Sequence, residues 1–198
     1  MKKLLSLVLA FVLVFSLAAI SEELTASKIL DDEIEVVAVE SLEDGVVIDD
    51  DFYIGPADAD ADKTLSEGVL ADICEILNDG GTVADYFDDE TKAAIEALLP
   101  EGVTLADLDL KEAGVIVAMN YRPAYGDLLV TYRFVTEYTP EQTIVGVVGL
   151  FETEESPVAW RVVEAAGQED GTVVAVFPGE LIEKIEAAYE NVFLVLDK

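Results

Sequence analysis

The sequence holds no histidine and a single cysteine, Cys74. Without imidazole, the commonest general base, the Ser-His and Cys-His nucleophile pairs and the usual zinc ligand are all missing. With one thiol no intramolecular disulfide can form, so stability must come from packing. Cys74 falls within the apolar stripe Leu65, Val69, Leu70, Ile73, Ile76 and Leu77, where a thiol behaves as a small buried apolar group. Basic residues are also scarce: 11 Lys and Arg stand against 42 Asp and Glu, a net charge of −31. At that charge phosphate backbones and anionic headgroups are repelled, which excludes nucleic acid and membrane surfaces and leaves cationic partners and divalent metals. No Gly-x-Ser-x-Gly elbow, phosphate-binding glycine loop or Cys-x-x-Cys pair occurs.

What is present begins with an export address. Lys2 and Lys3 precede an apolar run from Leu4 to Phe15, then the small-x-small sites Ser16-Leu17-Ala18 and Ala19-Ile20-Ser21. Residues 1–21 therefore read as a secretory signal peptide, and the mature chain is expected to be extracellular, starting at Ala19 or Glu22, with no membrane attachment. Loss of two lysines and no acid would take the charge from −31 to 9 − 42 = −33. The mature part is nonetheless rich in aliphatic and aromatic residues, which separates it from acidic disordered tails.

Residues 22–63 read as an acidic linker or hairpin. Between Asp31 and Asp62 lie 13 acids and no base, and Asp44-Gly45 separates the β-branched runs Val36 to Val39 and Val46 to Ile48. Order is expected from 64 onward, helical over 64–108 and β-rich over 109–198. Thr64-Leu65-Ser66-Glu67 has capping-box spacing, and Gly80-Gly81 stops a helix over 65–78. Asp88-Asp89-Glu90 opens a second helix ending before Pro100.

From Leu110 the period changes from 3.6 to 2. Val115, Val117, Met119 and Tyr121 alternate, as do Leu128, Val130, Tyr132 and Phe134, and Pro123 to Gly126 suggests a hairpin turn between them. Ile144 to Phe151 is β-branched on both faces and reads as a central strand. Trp160, alternating with Val158 and Val162, is expected to be the most buried large side chain. Pro178-Gly179-Glu180 starts a helix with Leu181, Ile182, Ile185 and Tyr189 on one face, long enough to carry the last strand parallel to its predecessor. The fold class expected is α+β: N-terminal helices packed on a mainly antiparallel β-sheet or small β-sandwich of about five to six strands, with one late crossover helix.

Three constellations are candidates to carry chemistry. Asp58, Asp60 and Asp62 occupy positions 1, 3 and 5 of a calcium-loop spacing, but Lys63 stands where the sharp turn requires Gly and Val69 where the bidentate acid belongs. Tyr121, Arg122 and Tyr125 share a turn and could stack on a sugar or peptide. Glu112, Glu137, Glu152 and Glu164 fall in or beside strands, as a carboxylate-based hydrolase would require, but four such acids are expected by chance among 42. No catalytic residue and no obligatory cofactor follows. The functional expectation is a non-catalytic extracellular binding or surface-associated domain for a carbohydrate, peptide or cationic partner. The alternatives are a calcium-dependent module or an extracellular hydrolase.

Overall fold

The computed structural model describes residues 24–26, 34–58 and 60–198, so the expected signal segment 1–21 lies outside the described residues. Eight strands make one sheet: β1 (Glu35–Ser41), β2 (Tyr53–Pro56), β3 (Asp109–Met119), β4 (Leu128–Arg133), β5 (Ile144–Phe151), β6 (Ala159–Gly167), β7 (Val173–Phe177) and β8 (Glu190–Asp197). Their order is β1-β4-β7-β6-β5-β8-β3-β2, and every pairing is antiparallel. The two edges come together: a Cβ placed on Gly55 of β2 would lie 3.0 Å from Val36 Cγ2 of β1. The sheet is thus a nearly closed barrel, accompanied among the described residues by the short helices α1 (Thr64–Asn78), α2 (Asp89–Glu96) and α3 (Gly179–Ala187). Among the described residues no helix is long and apolar enough to cross a membrane.

This corrects the expected sheet of five or six strands with N-terminal helices packed on it. Two of the eight strands come from the acidic segment before residue 64. The anticipated β3–β4 hairpin does not form: β3 pairs with β2 and β8, β4 with β1 and β7, and β2 and β1 stand between them. Nor does the last strand run parallel to β7, because α3 carries the chain to a position between β5 and β3, antiparallel to both. Alternation marks a strand's two faces but not its neighbours, and closure joins segments far apart in the chain.

Closure gives the sheet an inside and an outside, and this chain fills both. Inside, Tyr132 lies 5.5 Å from Phe193 and 6.2 Å from Phe177 between ring centroids, surrounded by Ile116, Val130, Val148, Val163 and Val195. Gly146 makes room for this cluster, since a Cβ there would sit 2.5 Å from Val163 Cγ2 and 2.9 Å from the Phe193 ring. Helix α3 closes one end of the barrel with Leu181, Ile182 and Ile185. Outside, α1 and α2 lay Val69, Leu70, Ile73, Cys74 and Ile95 over Val145, Val147, Val192, Leu194 and Leu196. β5 and β8 are consequently buried at every position, and each large apolar side chain so enclosed contributes about 1.5–3 kcal/mol.

Trp160 is not the most buried large side chain. It faces outward, only partly covered, with its ring edge-on to Tyr86 and Phe87 at 6.0 and 5.2 Å. The largest fully buried side chains are Tyr132, Tyr138, Phe177 and Phe193. The Val158-Trp160-Val162 face of β6 is the barrel's exterior, whereas Ala159, Val163 and Ala165 face the interior cluster.

Candidate functional site

The apolar alternation Val115, Val117, Met119 on β3 points away from the barrel interior, which is reached instead by Ile116 and Ala118. The outward three form the floor of a cleft with a volume of about 770 Å³. β2 contributes Tyr53 and Pro56, the following loop contributes Asp58, Asp60 and Asp62, and the end of α3 with the start of β8 contributes Glu186, Tyr189, Glu190 and Asn191. Three large apolar side chains that remain exposed gather here: Tyr53 at 37%, Met119 at 50% and Tyr189 at 52%.

Three of the carboxylates around them, Asp62, Glu186 and Glu190, are held in place by donors. Asp62 Oδ1 accepts from Thr64 N at 3.0 Å and Thr64 Oγ1 at 2.6 Å, and these bonds hold its pKa below the usual carboxylate value. Glu186 Oε1 accepts from Asn120 N at 2.6 Å. The buried Glu190 accepts from two backbone amides at the start of α1, Leu65 N at 3.2 Å and Ser66 N at 2.6 Å. The Thr64–Glu67 capping box is accordingly absent, its place taken by a carboxylate from the other end of the chain. The carbonyl end of α3 adds further negative potential. Tyr189 registers that field: Glu154 and Asp62 push its phenol pKa above the ordinary value.

Asp58, Asp60 and Asp62 therefore line one wall of an acidic cleft together with Glu186 and Glu190. Among the described residues no three His, Cys, Asp or Glu side chains group closely enough to hold a metal ion. The Tyr121, Arg122, Tyr125 turn lies elsewhere, and its side chains are engaged internally. Tyr125 is only 3% exposed and donates its hydroxyl to Asp49 Oδ2 at 2.8 Å. Arg122 pairs with Asp49 and, at 3.3 Å, with Asp51. Tyr121 donates to the Gly126 carbonyl at 2.8 Å, and Phe52 packs edge-on against both tyrosines. Tyr125 is thus a core residue, not the exposed anchor its turn position suggested.

Of Glu112, Glu137, Glu152 and Glu164 only Glu112 is buried. Besides Glu190, the buried acids among the described residues are Glu112 and Asp197, near the buried Tyr138, whose phenol pKa is pushed up by burial and by both carboxylates. Asp197 Oδ2 accepts from Gln142 Nε2 at 2.9 Å, and Oδ1 lies 3.5 Å from Lys111 Nζ. Burial outweighs Lys111 and raises the Asp197 pKa. A carboxyl with a raised folded pKa favours folding while protonated and loses that contribution as pH rises from the unfolded value through the folded one. Asp197→Asn is therefore expected to stabilise the protein at pH 7 more than at pH 4, measured by urea unfolding at both. An equal change at the two pH values would mean that the buried charge is fully compensated by Lys111.

Residue patterning pointed to neither the cleft's aromatic rim nor Glu190 and Asn191. The pattern groups Tyr189 with Leu181, Ile182 and Ile185 on one helix face and Met119 with the β3 alternation, and neither grouping marks an exposed rim. The available signal was that Ile116 and Ala118 are as apolar as Val115 and Val117, which leaves one face of β3 in need of a second covering. Compared with known proteins, the chain has no significant match to any family model, curated protein or solved structure.

Proposed function

We propose that the protein is a non-catalytic extracellular binding domain whose cleft between β2, β3 and the end of α3 takes a cationic peptide bearing apolar side chains. The observation that carries this reading is the coincidence, in one concavity, of Tyr53, Met119 and Tyr189 with five carboxylates. An exposed aromatic rim over an apolar floor contributes contact area at little entropic cost, and the acids select the sign of the partner's charge. Among the described residues the barrel interior is occupied by a packed aromatic cluster that includes Tyr132, Phe177 and Phe193.

A chain of charge −31 attracts any basic peptide at low salt, so the test separates the cleft from that general attraction. A synthetic peptide alternating lysine and leucine is titrated into the protein at physiological ionic strength by calorimetry. Tyr189→Ala is expected to weaken binding about tenfold, as loss of a rim anchor worth about 1–2 kcal/mol does, without moving the melting temperature. Unchanged affinity in that variant would remove the cleft from the interaction. Displacement of the peptide by millimolar calcium, abolished by Asp60→Asn, would favour the calcium-dependent alternative. Turnover of a glycosidic or peptide substrate, lost on one carboxylate substitution, would favour the hydrolase.

A further inference from the structure

The C-terminal half of α3 separates the acidic cleft from a second pocket of about 330 Å³, and its two flanks differ in charge: Glu186 lines the first and Lys184 the second. Facing Lys184 and Ala187 across the second pocket is the inner face of β5 and β6. Leu150 pairs with Ala159 and Val148 with Arg161, and directly opposed residues share a face, so Arg161 projects on the side of the interior residues Val148 and Leu150. It stays exposed where β6 has lost its β7 neighbour, whose pairing reaches only from Gly167 to Ala165. Lys111, Arg122, Arg133 and Lys198 each pair with a carboxylate, as 42 acids make easy. Among the described residues Arg161 and Lys184 form no such pair, although Glu152 lines the same pocket. Arg161 donates from Nη1 to Trp160 O at 2.6 Å, which leaves most of its fork of donors open.

We propose that this second pocket binds a carboxylate carried on a short apolar chain, with Arg161 and Lys184 on the carboxylate and Leu150, Ala159 and Ala187 against the chain. Its volume falls at the small end of the range of about 300–1,000 Å³ that ligand pockets occupy. The guanidinium fork matches the two oxygens of a carboxylate, and the lysine adds a point charge. With Glu152 the lining carries two positive charges and one negative, which balances a monoanion. A dianionic phosphate would bring surplus negative charge to a chain already at −31. That net charge opposes every anion at long range, but beyond the Debye length of about 8 Å at physiological salt it is largely screened, and the nearest charges govern. The site is separate from the acidic cleft and does not depend on how that cleft is read.

The test compares hexanoate, 1-hexanol and hexyl phosphate, which share a tail and differ in the head. Each is titrated into the full mature chain at pH 7 and physiological ionic strength, with binding located by NMR at Leu150, Ala159 and Ala187. Hexanoate is expected to shift these residues and to bind at least about tenfold more tightly than either of the others. Arg161→Gln and Lys184→Gln should each weaken hexanoate by about threefold or more and leave hexanol unchanged. Both side chains are exposed, so neither change should move the melting temperature; should a variant unfold, the three ligands on the unaltered protein decide. Equal affinity for hexanoate and hexanol, tighter binding of hexyl phosphate, hexanoate affinity unchanged in both variants, or no shift at these three residues would each overturn the inference.

Discussion

Phe193→Ala is expected to lower the free energy of unfolding in urea by about 3–5 kcal/mol, the cost of an unfilled cavity left by a buried aromatic ring. Phe193 lies inside the barrel on β8, the strand paired with both β5 and β3, and its ring is 5.5 Å from Tyr132 and 6.0 Å from Phe177. Few neighbours can move into the vacated volume, because the surrounding strands are tied to one another across a nearly closed sheet. Trp160→Ala should cost less than Phe193→Ala although it deletes a larger ring. Part of that indole already contacts solvent, and its aromatic neighbours Tyr86 and Phe87 lie on an adjustable outer layer. If Trp160→Ala proves the costlier of the two, the barrel interior is not the principal core.

That ordering reverses the one suggested by residue patterning, and the reason is general to closed sheets. A strand's period of two separates its faces but does not say which becomes the inside. On β4 the apolar set Leu128, Val130, Tyr132, Phe134 is the inner one, and the opposite face is polar enough to leave no choice. On β3 and β6 both faces are apolar, and there the choice depends on closure. Local signals were legible where they were self-contained. The stripe from Leu65 to Leu77 and the Gly80-Gly81 stop delimit α1, and Asp88 caps α2 by accepting from Thr91 N at 2.7 Å. The acidic segment before residue 64 resisted reading for a different reason. Its carboxylates argue against compaction, yet Val36 and Val39 of β1 and Ile54 of β2 reach the interior core while the acids from Glu35 to Asp62 stay exposed. The cleft shares this origin, since β2 lies against β3 and the chain then reaches the start of α1, which is held by Glu190 of β8.

Glu190→Ala is expected to cost about 2–4 kcal/mol, because it removes an ionised acceptor from two amides of a helix start that is otherwise enclosed. The Glu190 carboxylate receives Leu65 N at 3.2 Å and Ser66 N at 2.6 Å across 125 and 124 residues of sequence, while Thr64 N is served separately by Asp62. Negative charge also complements the positive end of the α1 dipole, so Glu190→Gln should recover only part of the loss: it keeps one acceptor oxygen but turns an amide NH2 toward a helix amide. The effect should be local before it is global. Hydrogen exchange at Leu65 and Ser66 should quicken in both variants under conditions where β5 and β8 remain protected, because α1 would fray from its first turn. Exchange that quickens uniformly, or a stability loss below about 0.5 kcal/mol, would show that solvent caps α1 as well as Glu190 does. The cleft wall that includes Asp58, Asp60 and Asp62 leads into that helix start, so the Glu190 variants should also loosen the acidic wall. A parallel fall in lysine–leucine peptide affinity, exceeding what one lost carboxylate explains, would tie the long-range cap to the shape of the binding cleft.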